Sequence, residues 1–414
     1  MDDIIKKVFE NFKAYQKSTI PLCAAENVIS DFCKLPLSGD LQERYIMGNY
    51  NNHNYDDNFI GSEMLLPFYN LIQKECKKLF ESEYSDARTL SGMNCLTTLL
   101  MALTIYGDKI MILSPQWGGH MSVPFICDRL GLIQYHAPYN KEQYDLDFDK
   151  LNEILEKENI KFILLPPSDI INPPSVSRIK LQDRILLYDA SQLLGLIAGK
   201  QIENPLRYSD RIIMFGGTHK TLPGPASGII LTNNAEFYAS IEKEINPKYL
   251  RHTQMHQVAS LLFTLMEMSY FGEEYMKSIV DLSNTLAAEL EKYQFKIGKI
   301  NGRYSFTHQI FIETTKTDMQ TIFRNGILHR VTLNDKQKAL FNGFGIRLGT
   351  QEIARYKWGA DEAKLIAIVL NELRKPQSNS KLIKEIRNSL PEKNIYYTFP
   401  RDVYDEFKEY IMKP

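Results

Sequence analysis

Five short runs dominated by apolar and β-branched residues, at 109–113, 161–165, 184–189, 211–215 and 228–232, recur through the middle of the chain. The stretches between them, such as 146–158, carry apolar residues at helical spacing. Strands that read as near-continuous apolar runs, alternating with helices, predict an α/β fold whose main sheet is largely parallel. In such sheets ligands collect at the carboxyl ends of the strands, so the residues that follow each run matter most. Residues 1–60 break the alternation with one helix-like start and then a polar, aromatic, glycine-containing segment from Tyr45 to Tyr55. A long helical stretch from about 253 to 292 leads away from the last run, and a strand-like piece at 307–312 with a helix at 361–374 predicts a smaller α/β domain beyond it.

Composition narrows the function classes. The 414 residues, 44% hydrophobic and 24% charged, are those of an ordinary globular protein. Forty-nine basic against fifty acidic residues leave a net charge of −1, so no bulk field draws in nucleic acid or an anionic membrane. Cys23, Cys33, Cys76, Cys95 and Cys127 are odd in number, form no C-x-x-C pair and cluster with no histidine, which fits a reduced compartment and predicts no metal site. The first residues carry no secretory pattern, and the most apolar stretches, 95–103 and 258–266, are too short to span a bilayer. The expectation is a cytoplasmic protein that works on small molecules.

The residues after the 211–215 run, Gly216-Gly217-Thr218-His219-Lys220-Thr221-Leu222-Pro223-Gly224-Pro225, place one lysine in a polar turn at a strand end, and Asp189 closes the run before it. Taken singly, such a lysine is commonly a solvated surface group and such an aspartate a turn or helix cap. Together, an amine able to condense with an aldehyde and a carboxylate able to face a pyridinium nitrogen point to pyridoxal 5′-phosphate. Ser91-Gly92-Met93-Asn94 opens a helical run and offers backbone N–H groups to a phosphate, although alone it reads more readily as a serine N-cap. Gly118-Gly119-His120 follows the 109–113 run, where the imidazole can lie over an aromatic cofactor or be simple loop filler, and the glycines permit close approach of backbone to ligand. Arg347, among apolar residues and glycines, offers a planar fork to a substrate carboxylate or to a structural ion pair.

In these residues the chain resembles the serine hydroxymethyltransferase family. The family's Ala-Ser-Glu-Asn element is echoed by Ala24-Ala25-Glu26-Asn27, its phosphate turn by Ser91-Gly92-Met93-Asn94-Cys95, and its Gly-Gly-His by Gly118-Gly119-His120. Its Asp-Met-Ala-His is similar to Asp189-Ala190-Ser191-Gln192, its Thr-His-Lys-Thr-Leu-x-Gly-Pro to the stretch from Thr218 to Pro225, and its Gly-Ile-Arg-x-Gly-Thr to that from Gly345 to Thr350. The resemblance implies a pyridoxal-phosphate-dependent transferase of fold type I, with a seven-stranded type of sheet in the large domain. It further implies that Lys220 forms the imine with the cofactor, Asp189 keeps the ring nitrogen protonated and His120 stacks on the ring. Ser91, Gly92, Met93, Thr218 and His219 would hold the cofactor's phosphate end, and Gln192 would stand beside its ring oxygen. Arg347 would grip the carboxylate of an amino-acid substrate near Ala25, Glu26 and Tyr45. Tyr55 would come from the neighbouring subunit of a homodimer with shared active sites. The implied division is an N-terminal arm and interface loop at 1–60, a large cofactor-binding domain at 61–260, and a linking helix with a small C-terminal domain at 261–414.

The departures cluster on one side. Met47 stands where the family's loop carries a proton-managing glutamate, Ala25 where it has a serine, Gln192 where it has a histidine and Ala226 where an arginine follows Gly-Pro. Lys248-Tyr249 stands in place of a glycine pair that reaches the partner's cofactor phosphate, with Lys248 able to supply charge instead. Cofactor chemistry is kept, while a role for tetrahydrofolate is doubtful. The expected activity makes or breaks the Cα–Cβ bond of glycine, serine or a β-hydroxy amino acid by aldol-type or hydroxymethyl transfer. An aminotransferase or racemase on a related amino acid is the alternative within enzymes, and a degenerate cofactor-binding homologue the alternative outside them.

Overall fold

The computed structural model describes residues 2–44, 46, 61–250, 252–325, 329–330 and 332–412; Tyr45, Met47 and Tyr55 lie outside them. The chain forms two compact units, each assembled from separated segments: Ala25–Lys277 with Tyr397–Pro414, and Met1–Ala24 with Ser278–Tyr396.

The first unit is built on a seven-stranded sheet. Its strands are β1 (Tyr84–Asp86), β2 (Lys109–Ile112), β3 (Ile133–His136), β4 (Phe162–Leu165), β5 (Ile185–Asp189), β6 (Ile212–Gly217) and β7 (Gly228–Thr232), in the order β1-β7-β6-β5-β4-β2-β3. Strands β2 to β6 are mutually parallel, which puts their carboxyl ends on one edge. Strands β4, β5, β6 and β7 are buried along their whole length, as their uninterrupted apolar sequences require. The 228–232 run departs from the parallel pattern: β7 pairs antiparallel with β6 and with β1. Only residues 218–227 connect β6 to β7, too short a link for a parallel crossover. The last segment of the chain returns to this unit, where Phe399 and Phe407 pack edge-on against Phe32, with ring centroids 4.9 and 5.3 Å away.

The second unit carries a four-stranded antiparallel sheet, β8 (Lys296–Ile297), β9 (Gln309–Thr314), β10 (Thr332–Lys338) and β11 (Gly343–Gly349), ordered β8-β9-β11-β10. The incoming segment at 22–24 lies along the end of β11. Gly349 N–H donates to the Leu22 carbonyl at 2.8 Å, and Gln351 Nε2 donates to the Cys23 carbonyl at 2.7 Å. Among the described residues no helix is long and apolar enough to cross a membrane.

Candidate active site

Asp189 and Lys220 follow adjacent parallel strands to the same edge of the seven-stranded sheet, Asp189 as the last residue of β5 and Lys220 three positions after the end of β6. Side-chain hydroxyls stitch the two turns together. Ser191 accepts from Gly217 N–H at 2.9 Å and donates through its own hydroxyl to Asp189 Oδ1 at 2.5 Å. Ser191 N–H reaches the same oxygen at 2.8 Å. Both donors converge on Oδ1, so no protein hydrogen bond occupies Asp189 Oδ2 among the described residues. On the far side of the lysine, Thr221 Oγ1 donates to the Gln192 carbonyl at 2.9 Å and accepts from Gly195 N–H at 3.1 Å. Asn27 Nδ2 completes the clamp by donating to the Lys220 carbonyl at 2.6 Å, and it also reaches the buried Tyr275 hydroxyl at 3.0 Å. The Lys220 peptide is therefore fixed at its carbonyl and on both flanks.

The helix Gly92–Leu103 starts beside this turn. Ser91 is its N-cap, accepting from Asn94 N–H at 3.1 Å, and Asn94 Oδ1 in turn takes Leu90 N–H at 2.9 Å. Residue 92 has no room for a side chain: a Cβ there would fall 2.8 Å from both Gly217 N and Ser191 Oγ. Behind the turn, Cys95 packs against Thr89 Oγ1 at 3.0 Å, and burial pushes its thiol up to about 12, so it is an inert packing group.

His120 reaches the site edge from the loop after β2. The glycine pair before it serves a purpose other than ligand approach. A Cβ on Gly119 would fall 2.0 Å from the Leu113 carbonyl oxygen, and one on Gly118, whose φ is +89°, would fall 2.4 Å from that of Asp169. The two glycines thus let the loop fold back on its own backbone, and His120 N–H donates to the Pro166 carbonyl at 2.9 Å. His120 Nδ1 accepts from Ser122 N–H at 3.2 Å, which puts the ring proton on Nε2.

The other sequence candidates fall in varied surroundings. Thr218 is fully buried and donates its hydroxyl to the Pro225 carbonyl at 2.6 Å, shaping the turn. Among the described residues His219 Nδ1 is buried with no hydrogen-bond partner, and burial followed by the charge of Lys220 lowers its pKa. Gln192 is buried beside Asp189, Ala25 is half-buried and Glu26 exposed. Lys248 is exposed and paired with Glu244 at 3.0 Å. Arg347 belongs to the second unit, where it lies buried on β11 opposite Phe311 of β9 and Thr332 of β10. Two residues escaped the sequence reading, Ser191 and Asn27. Both lie inside matched motifs, but each also bonds a backbone group far off in sequence, Gly217 N–H 26 positions from Ser191 and the Lys220 carbonyl 193 positions from Asn27, which no local pattern displays.

The arrangement fits pyridoxal phosphate. Among the described residues it offers an amine on a clamped turn, a carboxylate oxygen without a protein donor, the N–H groups of a helix start and an orphaned imidazole nitrogen, all contributed along one edge of the sheet.

Comparison with known proteins agrees. The sequence model of the family described as serine hydroxymethyltransferase matches residues 1–370. Among curated relatives, the serine hydroxymethyltransferase of Staphylothermus marinus is 30% identical, covering 98% of this chain and 97% of its own length. That of Thermococcus onnurineus is 31% identical, with 95% and 96% covered. Among solved structures, L-threonine transaldolase from Pseudomonas fluorescens, determined in its internal aldimine state, superimposes with a TM-score of 0.90 over 99% of this chain and 97% of that one, at 21% identity. At that identity the likeness speaks for the fold alone.

Proposed function

The chain belongs to the serine hydroxymethyltransferase family of pyridoxal-phosphate enzymes, with the type I transferase fold, and from that premise we propose that it makes or breaks the Cα–Cβ bond of a small β-hydroxy amino acid without tetrahydrofolate. The observation that carries this reading is the pairing of Asp189 and the clamped Lys220 turn at the ends of adjacent strands. Bound there, pyridoxal phosphate supplies an electron sink that stabilises negative charge developing at Cα. Lys220 would attach the cofactor, Asp189 Oδ2 would accept the ring N–H, and Ser91, Gly92, Met93 and His219 would hold the phosphate. Arg347 would fix the substrate carboxylate.

Cleavage of the Cα–Cβ bond requires a base for the β-hydroxyl proton. The Ser122 hydrogen bond makes His120 a donor at Nε2, which favours Tyr55 for that role, supplied by the second copy in a homodimer. Loss of the folate step is supported by Met47, whose thioether cannot carry a proton, and by Ala25 and Ala226 on the same side. The holoenzyme should convert threonine or a larger β-hydroxy amino acid to glycine and the matching aldehyde with no folate added. Turnover confined to serine, and only when tetrahydrofolate is supplied, would overturn the proposal.

A further inference from the structure

We propose that Ser191 is a positioning residue that aims the Asp189 carboxylate at the cofactor ring and locks it to the strand that delivers Lys220. This rests on the reading of Asp189 as the ring-nitrogen partner and goes beyond it. A terminal carboxylate torsion is soft, and an aspartate at a strand end can swing either oxygen outward. Here Ser191 removes that freedom. Its hydroxyl and its N–H both point at Oδ1, at 2.5 and 2.8 Å, and so fix which oxygen remains for a ligand. The same hydroxyl accepts Gly217 N–H at 2.9 Å, making a continuous relay from the end of β6 to the carboxylate at the end of β5.

Ser191 is 7% exposed and Asp189 6%, so water does not compete freely for these bonds. The strut is also built around tight packing: an added Cβ at Gly92 would fall 2.8 Å from Ser191 Oγ, and one at Gly216 would fall 2.7 Å from Ser191 N. One side chain thereby holds the carboxylate and the β6 end, and the helix start packs closely against it. The effect would be a cofactor ring held in one tilt and a fixed separation between the ring partner and the attaching amine.

The test uses three full-length holoenzymes, wild type, Ser191→Ala and Asp189→Asn, loaded with ring-¹⁵N pyridoxal phosphate. Three quantities are read: the ring nitrogen's chemical shift, the cofactor dissociation constant and the melting temperature of the cofactor-free protein. Ser191→Ala should weaken cofactor binding by about 10-fold, the scale of one hydrogen bond to a charged group, and move the ring signal in the direction set by Asp189→Asn but less far. A normal ring signal and affinity in Ser191→Ala, with a shifted signal in Asp189→Asn, would overturn the strut and leave the Asp189 assignment standing. No change in either variant would overturn both. A lower melting temperature in Ser191→Ala with an unmoved ring signal would reduce Ser191 to packing and overturn the inference.

Discussion

Gly92 shows how far single atoms are constrained at this site. Because a Cβ there would press on Gly217 N and Ser191 Oγ at 2.8 Å, Gly92→Ala must push the helix start away from the Lys220 turn or strain both. Overpacking of this kind costs about 1–3 kcal/mol, and urea midpoints should show it. If this helix start holds the cofactor's phosphate, as proposed, cofactor affinity should fall in parallel, since its N–H groups move with the helix. A second residue prediction concerns pH. Burial raises the pKa of Asp145 from the ordinary carboxylate value of 3.8 to about 6. Between those values the folded chain holds the proton that the unfolded chain has released, so stability falls as pH rises through this window. Asp145→Asn, which cannot ionise, should gain about 2–3 kcal/mol relative to wild type near pH 8 and little near pH 4, measured by urea unfolding at the two pH values.

At the scale of elements, the turn after β6 is held by groups outside itself. Asn27→Ala would strip the Lys220 carbonyl of its 2.6 Å donor and the Tyr275 hydroxyl of a partner. The expected loss is about 1–3 kcal/mol of stability, together with incomplete borohydride labelling of Lys220 by pyridoxal phosphate, read by peptide mapping. The same element shows what a sequence displays. The runs at 161–165, 184–189 and 211–215 are strands because a doubly covered sheet needs apolar residues on both faces, and that need is written locally. Strands β1 and β3 left little trace, the first because it is three residues long and the second because as an edge strand it keeps polar and half-exposed positions. The sense of β7 was hidden as well, since an apolar run does not state its direction and only the shortness of the 218–227 link decides it. At the site, lysine and aspartate could be read from chemistry and order. The side chains that position them could not, because their roles depend on distant backbone groups, the Gly217 N–H for Ser191 and the Lys220 carbonyl for Asn27.

For the whole molecule, the proposed homodimer makes a prediction that one chain alone could not satisfy. If Tyr55 completes the site of a second copy, Lys220→Ala and Tyr55→Phe chains are each inactive alone but should regain activity when refolded together. In a random mixture half the dimers are mixed and each has one intact site, so about a quarter of wild-type activity should return. Failure of the mixture to recover, with mixed dimers demonstrated by a mass tag, would place Tyr55 in its own chain's site or in none.

The interleaving of the two units also sets a timetable for biosynthesis. Residues 1–24 are made well before their partners at 278–396, and 25–277 are not complete without 397–414. At about 5–20 residues per second, the early segment waits of order ten seconds or more for its mates, and the Phe399 and Phe407 contacts to Phe32 cannot form until those residues are made. Such a nascent chain is a natural client for chaperones, and stalling it before residue 397 should leave an aggregation-prone, protease-sensitive intermediate.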